Sequence, residues 1–300
     1  MTPAPRVSVI IAAHARPIQL ELLVNSLAPQ LAGGRCELII AENGTPAPTR
    51  LPSERVVRAR VHDVAPGKCR VQNRAIGLSR GEILVFLDDD LIAAPRYIAE
   101  VESFFDCGLG FAAMKGRILP AEDPLAKVGP DWPYLDLPLV DHGERPIEVR
   151  GVLGANMAFH AEALAKVGRF DERLGPGSCG HEEETEMSSR LRRAGLKIGY
   201  SPKAIVYHEV DPSRAERERF IRIARERGRC RVIHERHSLW SIAIRIGIAR
   251  ARLKLAGLKP SRIDRIAREE RRVATLEGMR DGLRLPISIR HRLRRPGRLL

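Results

Sequence analysis

Cysteine, aromatic side chains and long apolar runs are all scarce in this chain, and each scarcity excludes something. Five cysteines among 300 residues, Cys36, Cys69, Cys107, Cys179 and Cys230, make an odd number with no CxxC pair. That argues against a disulfide framework or a cysteine-held zinc cluster and for a reducing compartment. No stretch reaches the roughly 20 apolar residues of a transmembrane helix. The first apolar run, Val7–Ala13, lacks the layout of a signal peptide. These absences lead us to expect a cytoplasmic protein without a membrane span.

Acid is scarce in one region only. From Val210 to Leu300 there are 26 Lys and Arg against 10 Asp and Glu, whereas the preceding 209 residues carry 25 against 27. The formal charge of +14 therefore belongs to the last third, and tail and body are read separately. We expect a domain over residues 1–210 and a basic helical region over 211–300. Within the tail, "LWSIAIRIGIARARLKLAGLK" (239–259) mixes Trp, Ile and Leu with Arg and Lys, the composition of an interfacial helix on anionic lipid. A solvated helix packed on the body reads the same way. Nucleic acid is not expected as a partner, because aromatics total 4% and stacking platforms are lacking.

What is present is a body that can bury a core and alternates strand with helix. "VSVIIAA" (7–13) is a β-branched run of the kind buried on both faces. Pro17 opens a helix with Leu20, Leu23 and Leu27 at helical spacing. "CELIIAE" (36–42) and "RVVRARVH" (55–62) read as strands, residues 66–81 as a helix closed by Gly81, and "EILVFL" (82–87) as a fourth strand. A helix from Pro95 to about Phe105 and a strand in "GFAAMKG" follow. Residues 119–150, rich in Pro, Asp and Gly, read as a long loop or lid. Residues 151–172 return to strand and helix, 181–195 form a helix stopped by Gly195, and 197–210 give short strands around Pro202. Alternation of this kind predicts an α/β fold, a mostly parallel sheet sandwiched by helices, with ligands at the carboxyl ends of its strands.

At one such end, "ILVFLDDDLIAAP" (83–95) runs from apolar residues into Asp88, Asp89 and Asp90. Three adjacent carboxylates repel one another and cannot enter a core cheaply. Either they sit on a solvated turn, or a divalent cation joins them; magnesium and manganese bind through one or two carboxylates plus substrate phosphates. Lys68 follows Pro66-Gly67 at a helix start, where N–H groups and a cation favour phosphate.

Taken in order, "VSVIIAAHARP", "ELIIAENGT", "GKCRVQNRAIGLSRGEILVFLDDD", "GANMAF", "VGRFDE", "EEETEMSSRLRRAG" and "AIVYH" resemble the motifs of family 2 glycosyltransferases, inverting nucleotide-sugar-dependent enzymes of the GT-A (Rossmann-like) fold. The resemblance covers roughly residues 6–210. It implies a nucleotide-sugar donor near Ala13, His14, Glu42, Lys68, Asn73, Arg74, Asp88 and Asp89, and a divalent Mg or Mn ion near Asp88, Asp90 and His208. It departs from the family's pattern at His14-Ala15-Arg16 and at Glu42, where the family has Tyr-Asn-Arg and Asp. The resemblance also implies a catalytic base in the acidic pair Glu183–Glu184. Helical spacing favours Glu184, which shares a face with Met187 and Leu191, while Glu182 and Glu186 fall on the side of Arg190.

The function expected from this resemblance is non-processive transfer of one sugar to a polysaccharide or lipid-linked glycan in cell-envelope or exopolysaccharide synthesis. The QxxRW motif of the family's processive synthases is missing. The enzyme would be peripheral on the inner face of the plasma membrane, held through its C-terminal region. The competing readings are a sugar-1-phosphate nucleotidyltransferase, which should carry a Gly-rich loop after the first strand where "AAHARPIQ" stands, and a non-catalytic basic anchoring protein with a degenerate body.

Overall fold

A computed structural model of the chain describes residues 4–31, 35–44, 57–258 and 263–284. The first apolar run forms β1 (Val7–Ala13). Pro17 then starts α1 (Pro17–Leu31), where a missing N–H costs no helical hydrogen bond. β2 (Cys36–Asn43) and β3 (Val57–Asp63) follow; Arg55 and Val56 of the expected third strand lie outside the described residues. Next come α2 (Lys68–Leu78), β4 (Ile83–Asp88), β5 (Leu91–Ala93), α3 (Tyr97–Phe105) and β6 (Phe111–Pro120). α4 (Pro124–Val128), β7 (Ile147–Glu148), β8 (Asn156–His160), α5 (Ala161–Val167), α6 (Glu183–Arg193) and β9 (Lys197–His208) complete the body. The tail is helical: α7 (Arg217–His234), α8 (Leu239–Gly257) and α9 (Ile263–Arg284).

The strands form one sheet in the order β3-β2-β1-β4-β8-β6-β9-β5, with β7 on β9. β3, β2, β1 and β4 run parallel. β8 then lies antiparallel to both β4 and β6, β6 pairs parallel with β9, and β5 returns antiparallel on β9. Alternate side chains of the buried strands enter two cores. Val9 and Ile11 pack with Leu20, Leu23 and Leu27 of α1 and with Val101 of α3. Ile10 and Phe86 pack on the other face with Val71 of α2 and with Met187 and Leu191 of α6. Helices thus cover both faces, as parallel strands require.

Two segments differ from expectation. Residues 119–150 are not an uninterrupted loop: they hold the end of β6, α4, a 3-10 turn over Gly129–Tyr134, and β7. The side chain of Asp123 caps α4, and Pro124 sits in its first turn, a start signal hidden in a Pro- and Asp-rich stretch. The strands expected around Pro202 are one strand. β9 pairs Ser201 with Gly116 and then Ile205 with Arg117, and this slip of register carries the proline outside the ladder.

The chain divides into two compact units. One holds the chain up to Ala121 with Pro138–Glu172 and Glu183–Glu209; the other holds Glu122–Leu137, Arg173–Glu182 and the chain from Val210 onward. A boundary thus falls where the basic tail begins, but two earlier segments belong with the tail helices. The reason is local packing. Tyr134 meets Phe220 edge to face at 5.5 Å, Cys230 Sγ donates to the Cys179 carbonyl at 2.7 Å, and Glu182 pairs with Arg231 at 2.8 Å. All five cysteines are free thiols.

Within the second unit, α7 and α9 cross backbone to backbone. A Cβ on Gly278 would lie 1.9 Å from the Arg225 carbonyl oxygen, and one on Gly228 2.0 Å from that of Thr275. Glu277 accepts from Arg225 of α7 at 2.6 Å and from Arg250 of α8 at 2.7 Å. Ile242, Ile246 and Ala249 of α8 pack into a core with Val232, Leu276 and Met279. Among the described residues, no helix is long and apolar enough to cross a membrane.

Candidate active site at the carboxyl edge of the sheet

Register brings the expected residues together. β1 pairs Ala13 with Glu42 and Ala12 with Asp88, so the carboxyl ends of β2, β1 and β4 lie side by side. β5 pairs Leu91 with His208, which sets the aspartate triplet beside the end of β9. Ala13, Ala15, Arg16, Glu42 and Asn43 line a small recess at this edge.

The three aspartates have different partners. Asp88, at the solvent margin, forms an ion pair with Lys68, the first residue of α2. Burial alone would lower the Lys68 pKa, but the Asp88 carboxylate, Glu183 and Glu184 outweigh it, and the ammonium is held charged. Asp89 is buried and accepts the His14 backbone N–H at 2.8 Å and Arg16 Nη1 at 3.2 Å. Burial pushes its pKa up to about 6 against those two donors. Its role is to brace the turn after β1, where Ala15 has a φ of 52°. Asp90 accepts from Arg16 at 2.6 Å and faces His208 Nε2 at 3.5 Å.

The donor set around Asp90 suits a cation. His208 Nδ1 lies 2.8 Å from the Glu209 carbonyl; a carbonyl only accepts, so Nδ1 donates there and Nε2 is the ring nitrogen that faces the Asp90 carboxylate. The imidazole and the Asp90 carboxylate are both donor types that divalent cations accept, and the Arg16 guanidinium already lies against that carboxylate. Asp88, by contrast, is turned to Lys68. Among the described residues, no three His, Cys, Asp or Glu side chains group as a ready metal site.

The acidic pair opens α6. Met187 and Leu191 are fully buried, and the residue sharing their face is Glu183, 5% exposed, while Glu184 is half-buried. The packed stripe therefore runs 183-187-191, one residue earlier than the spacing argument placed it. A Cβ on Gly154 would lie 3.6 Å from Glu183 Oε1 and 3.7 Å from Lys68 Nζ, so both groups converge on that glycine. Burial, the neighbouring Glu184 charge and a hydrogen bond between the two side chains raise the Glu183 carboxyl well above the usual range, against the opposing effect of Lys68. Glu186 pairs with Arg190 as expected. Glu182 does not join them. It is buried against Arg231 and His234, at 2.8 and 3.3 Å.

Other expected residues sit differently. Asn73 donates to the Phe170 carbonyl at 2.9 Å and to Glu172 at 3.1 Å, and accepts from the Phe170 N–H at 3.0 Å. Its amide fastens the "VGRFDE" loop and is not turned to the donor edge. Arg74 binds the His62 carbonyl at 2.9 Å. The Glu42 carboxylate is held by Arg60 at 3.2 Å. Two residues were not singled out in advance. Asn43 ties the ends of β2 and β3 to the start of α2, donating to the Ala65 carbonyl at 2.8 Å and accepting from Gly67 N–H at 3.1 Å. Lys115 on β6 has its pKa lowered by burial against the opposing pull of Glu184. Its signal was a lone charge in an apolar strand.

This sheet and edge define a protein of the GT-A type. A sequence profile of glycosyltransferase-like family 2 matches residues 5–229, and the chain belongs to that family. Over 164 residues it is 26% identical to the glucosyl-dolichyl phosphate glucuronosyltransferase of Haloferax volcanii, covering 49% of this chain and 52% of that one. Over 234 residues it is 26% identical to the O-antigen biosynthesis protein RfbC of Myxococcus xanthus, covering 71% of this chain and 18% of that protein. The matches thus span about half, or less, of these curated relatives. Among solved structures, the mannosyltransferase PcManGT of Pyrobaculum calidifontis, in complex with GDP-Man and Mn2+, has a TM-score of 0.62 at 17% identity, covering 93% of this chain and 88% of that one.

Proposed function

We propose that the protein is an inverting, non-processive glycosyltransferase that moves one sugar from a nucleotide-diphosphate sugar to a polysaccharide or lipid-linked glycan, working at the inner face of the plasma membrane. The observation that carries this reading is the convergence of Asp88, Lys68, Glu183 and Glu184 on one strand-end edge beside the Asp90–His208 pair. Ala13, His14 and Glu42 border the nucleoside. Lys68, at a helix N-terminus, meets the diphosphate, where N–H groups and a cation favour phosphate oxygens. Asp90 and His208, with Asp88 beside them, would hold a divalent ion, which when bound neutralises charge on the departing diphosphate.

Glu184 takes the proton of the acceptor hydroxyl as that oxygen attacks the anomeric carbon opposite the leaving group. A neutral Glu183 donates to the Glu184 carboxylate and fixes its direction. Burial supports this division of labour, because a base must be ionised and burial disfavours the ionised form of Glu183. Family membership and the lack of a Gly-rich loop after β1 weigh against the nucleotidyltransferase reading.

Release of nucleoside diphosphate across a panel of donor sugars, with Mn2+ or Mg2+ added or chelated, tests the proposal. One donor should turn over, metal should be required, and Asp90→Ala should abolish metal-dependent binding of the nucleoside diphosphate with the melting temperature preserved. Turnover indifferent to chelation, or unchanged metal-dependent affinity in the variant, would remove the metal from the scheme.

A further inference from the structure

The second unit contains a cleft of about 560 Å³ that the transfer chemistry does not use. Seven arginines line it: Arg227 and Arg231 from α7, Arg245 and Arg252 from α8, and Arg268, Arg271 and Arg272 from α9. Four carboxylates answer them. Asp136 lies 3.3 Å from Arg227 and 3.7 Å from Arg271, Glu182 2.8 Å from Arg231, Asp264 2.7 Å from Arg268, and Glu269 3.4 Å from Arg272. Among the described residues Arg245 and Arg252 have no ion-pair partner, and both are exposed. Seven guanidiniums against four carboxylates leave an excess of three positive charges on one concave surface. Guanidinium forks at such density match phosphate oxygens.

The cleft adjoins an apolar stripe. While α8 buries Ile242, Ile246 and Ala249, its opposite side exposes Trp240 (77%), Ile244 (45%), Ile248 (50%) and Leu255 (60%). These positions fall within about a quarter of the helix circumference. Ile248 also lines the cleft, so stripe and arginines share a border. Arg245 and Arg252 flank the stripe on the cleft side, and Arg250 and Lys254 flank it on the other. Exposed Trp and Ile framed by cations complement an anionic lipid surface.

We propose that this cleft receives the phosphomonoester or diphosphate headgroup of an anionic lipid while the Trp240–Ile244–Ile248–Leu255 stripe lies among its acyl chains. The inference deepens the membrane part of the proposed function and is independent of which sugar is transferred. A monoester or diphosphate presents more terminal oxygens and more charge than the phosphodiester of an ordinary headgroup. A concave set of forks exploits that difference, whereas a flat basic patch would not.

Flotation of the full chain with vesicles tests it. Three vesicle types are compared: phosphatidylcholine alone, phosphatidylcholine with phosphatidylserine, and phosphatidylcholine with phosphatidic acid at matched surface charge. Binding should favour phosphatidic acid, and Arg245→Gln with Arg252→Gln should weaken it about tenfold or more with an unchanged melting temperature. Trp240→Ser should weaken binding to all anionic vesicles alike. Equal affinity for phosphatidic acid and phosphatidylserine would overturn the headgroup site while leaving membrane attachment standing. Equal binding to neutral vesicles would overturn both. Saturable binding of inorganic pyrophosphate by a chain that ignores every vesicle would assign the cleft to a soluble phosphate and sink the lipid reading. Donor turnover by the wild-type chain in solution is scored separately, so loss of the transferase reading and loss of this one cannot be confused.

Discussion

At the scale of single residues, the aspartate triplet and the acidic pair illustrate how neighbours with identical chemistry acquire different work. Asp88 meets a lysine, Asp89 braces a backbone turn, and Asp90 faces His208. Glu183 and Glu184 differ in burial, and burial pushes the Glu183 carboxyl upward. We expect Glu184→Gln to preserve donor binding and lower turnover about 100-fold or more, the range for a lost general base; near-normal turnover with a collapse in Glu183→Gln would reverse the assignment. Glu183 also has a stability signature. Its folded pKa is raised, so as pH rises past the ordinary carboxylate range the unfolded state releases a proton that the folded state retains. The protein should therefore lose stability with rising pH, by at most about 1.4 kcal/mol per pH unit from this one group, until the folded pKa is reached. Melting curves between mild acid and neutrality should be flatter for Glu183→Gln, and an identical slope in both proteins would refute the assignment.

At the scale of elements, close helix approach in the second unit depends on glycine. Gly278 and Gly228 meet carbonyl oxygens at distances no Cβ can tolerate, and the neighbour is backbone, which cannot rotate away. Gly278→Val should force α7 and α9 apart and cost about 1–3 kcal/mol, the usual range for overpacking, read as a lower melting temperature. The same substitution at Gly257, which has open space around it, is the control. If both variants melt alike, the crossing does not depend on that contact.

At the scale of the whole chain, the position of a safe cut changes. Charge distribution suggests that removing residues 211–300 would leave an intact body. The structure assigns Glu122–Leu137 and Arg173–Glu182 to the unit that contains those residues. A chain ending at Glu209 would strip Phe220 from Tyr134 and leave Glu182, 4% exposed in the full chain, without Arg231 and His234. An unpaired carboxylate and an uncovered ring are both destabilising. The truncated chain should aggregate or melt well below the full chain; an equally stable, monodisperse product would show the tail to be dispensable.

The sequence by itself determined the body's alternation, the strand-end position of Asp88–Asp90, and the family, because buried strands write continuous apolar runs and turns write their own residues. Pro17 and Gly195 marked element ends in the same local way, whereas α2 stops at Leu78, before Gly81, which is instead where the chain passes close to Ser8 of β1. Tertiary structure alone decided the rest. Pairing between β5 and β9 set Asp90 against His208, residues more than a hundred positions apart. Burial against the sheet put Glu183 rather than Glu184 on the packed stripe, because a one-residue rotation of α6 changes no residue in the pattern. The tail showed its charge in the sequence but not its cleft. Whether an arginine meets a carboxylate, a neighbouring arginine or open solvent depends on how α7, α8 and α9 cross, and the α7–α9 crossing rests on backbone contacts at glycines that one-dimensional spacing cannot report.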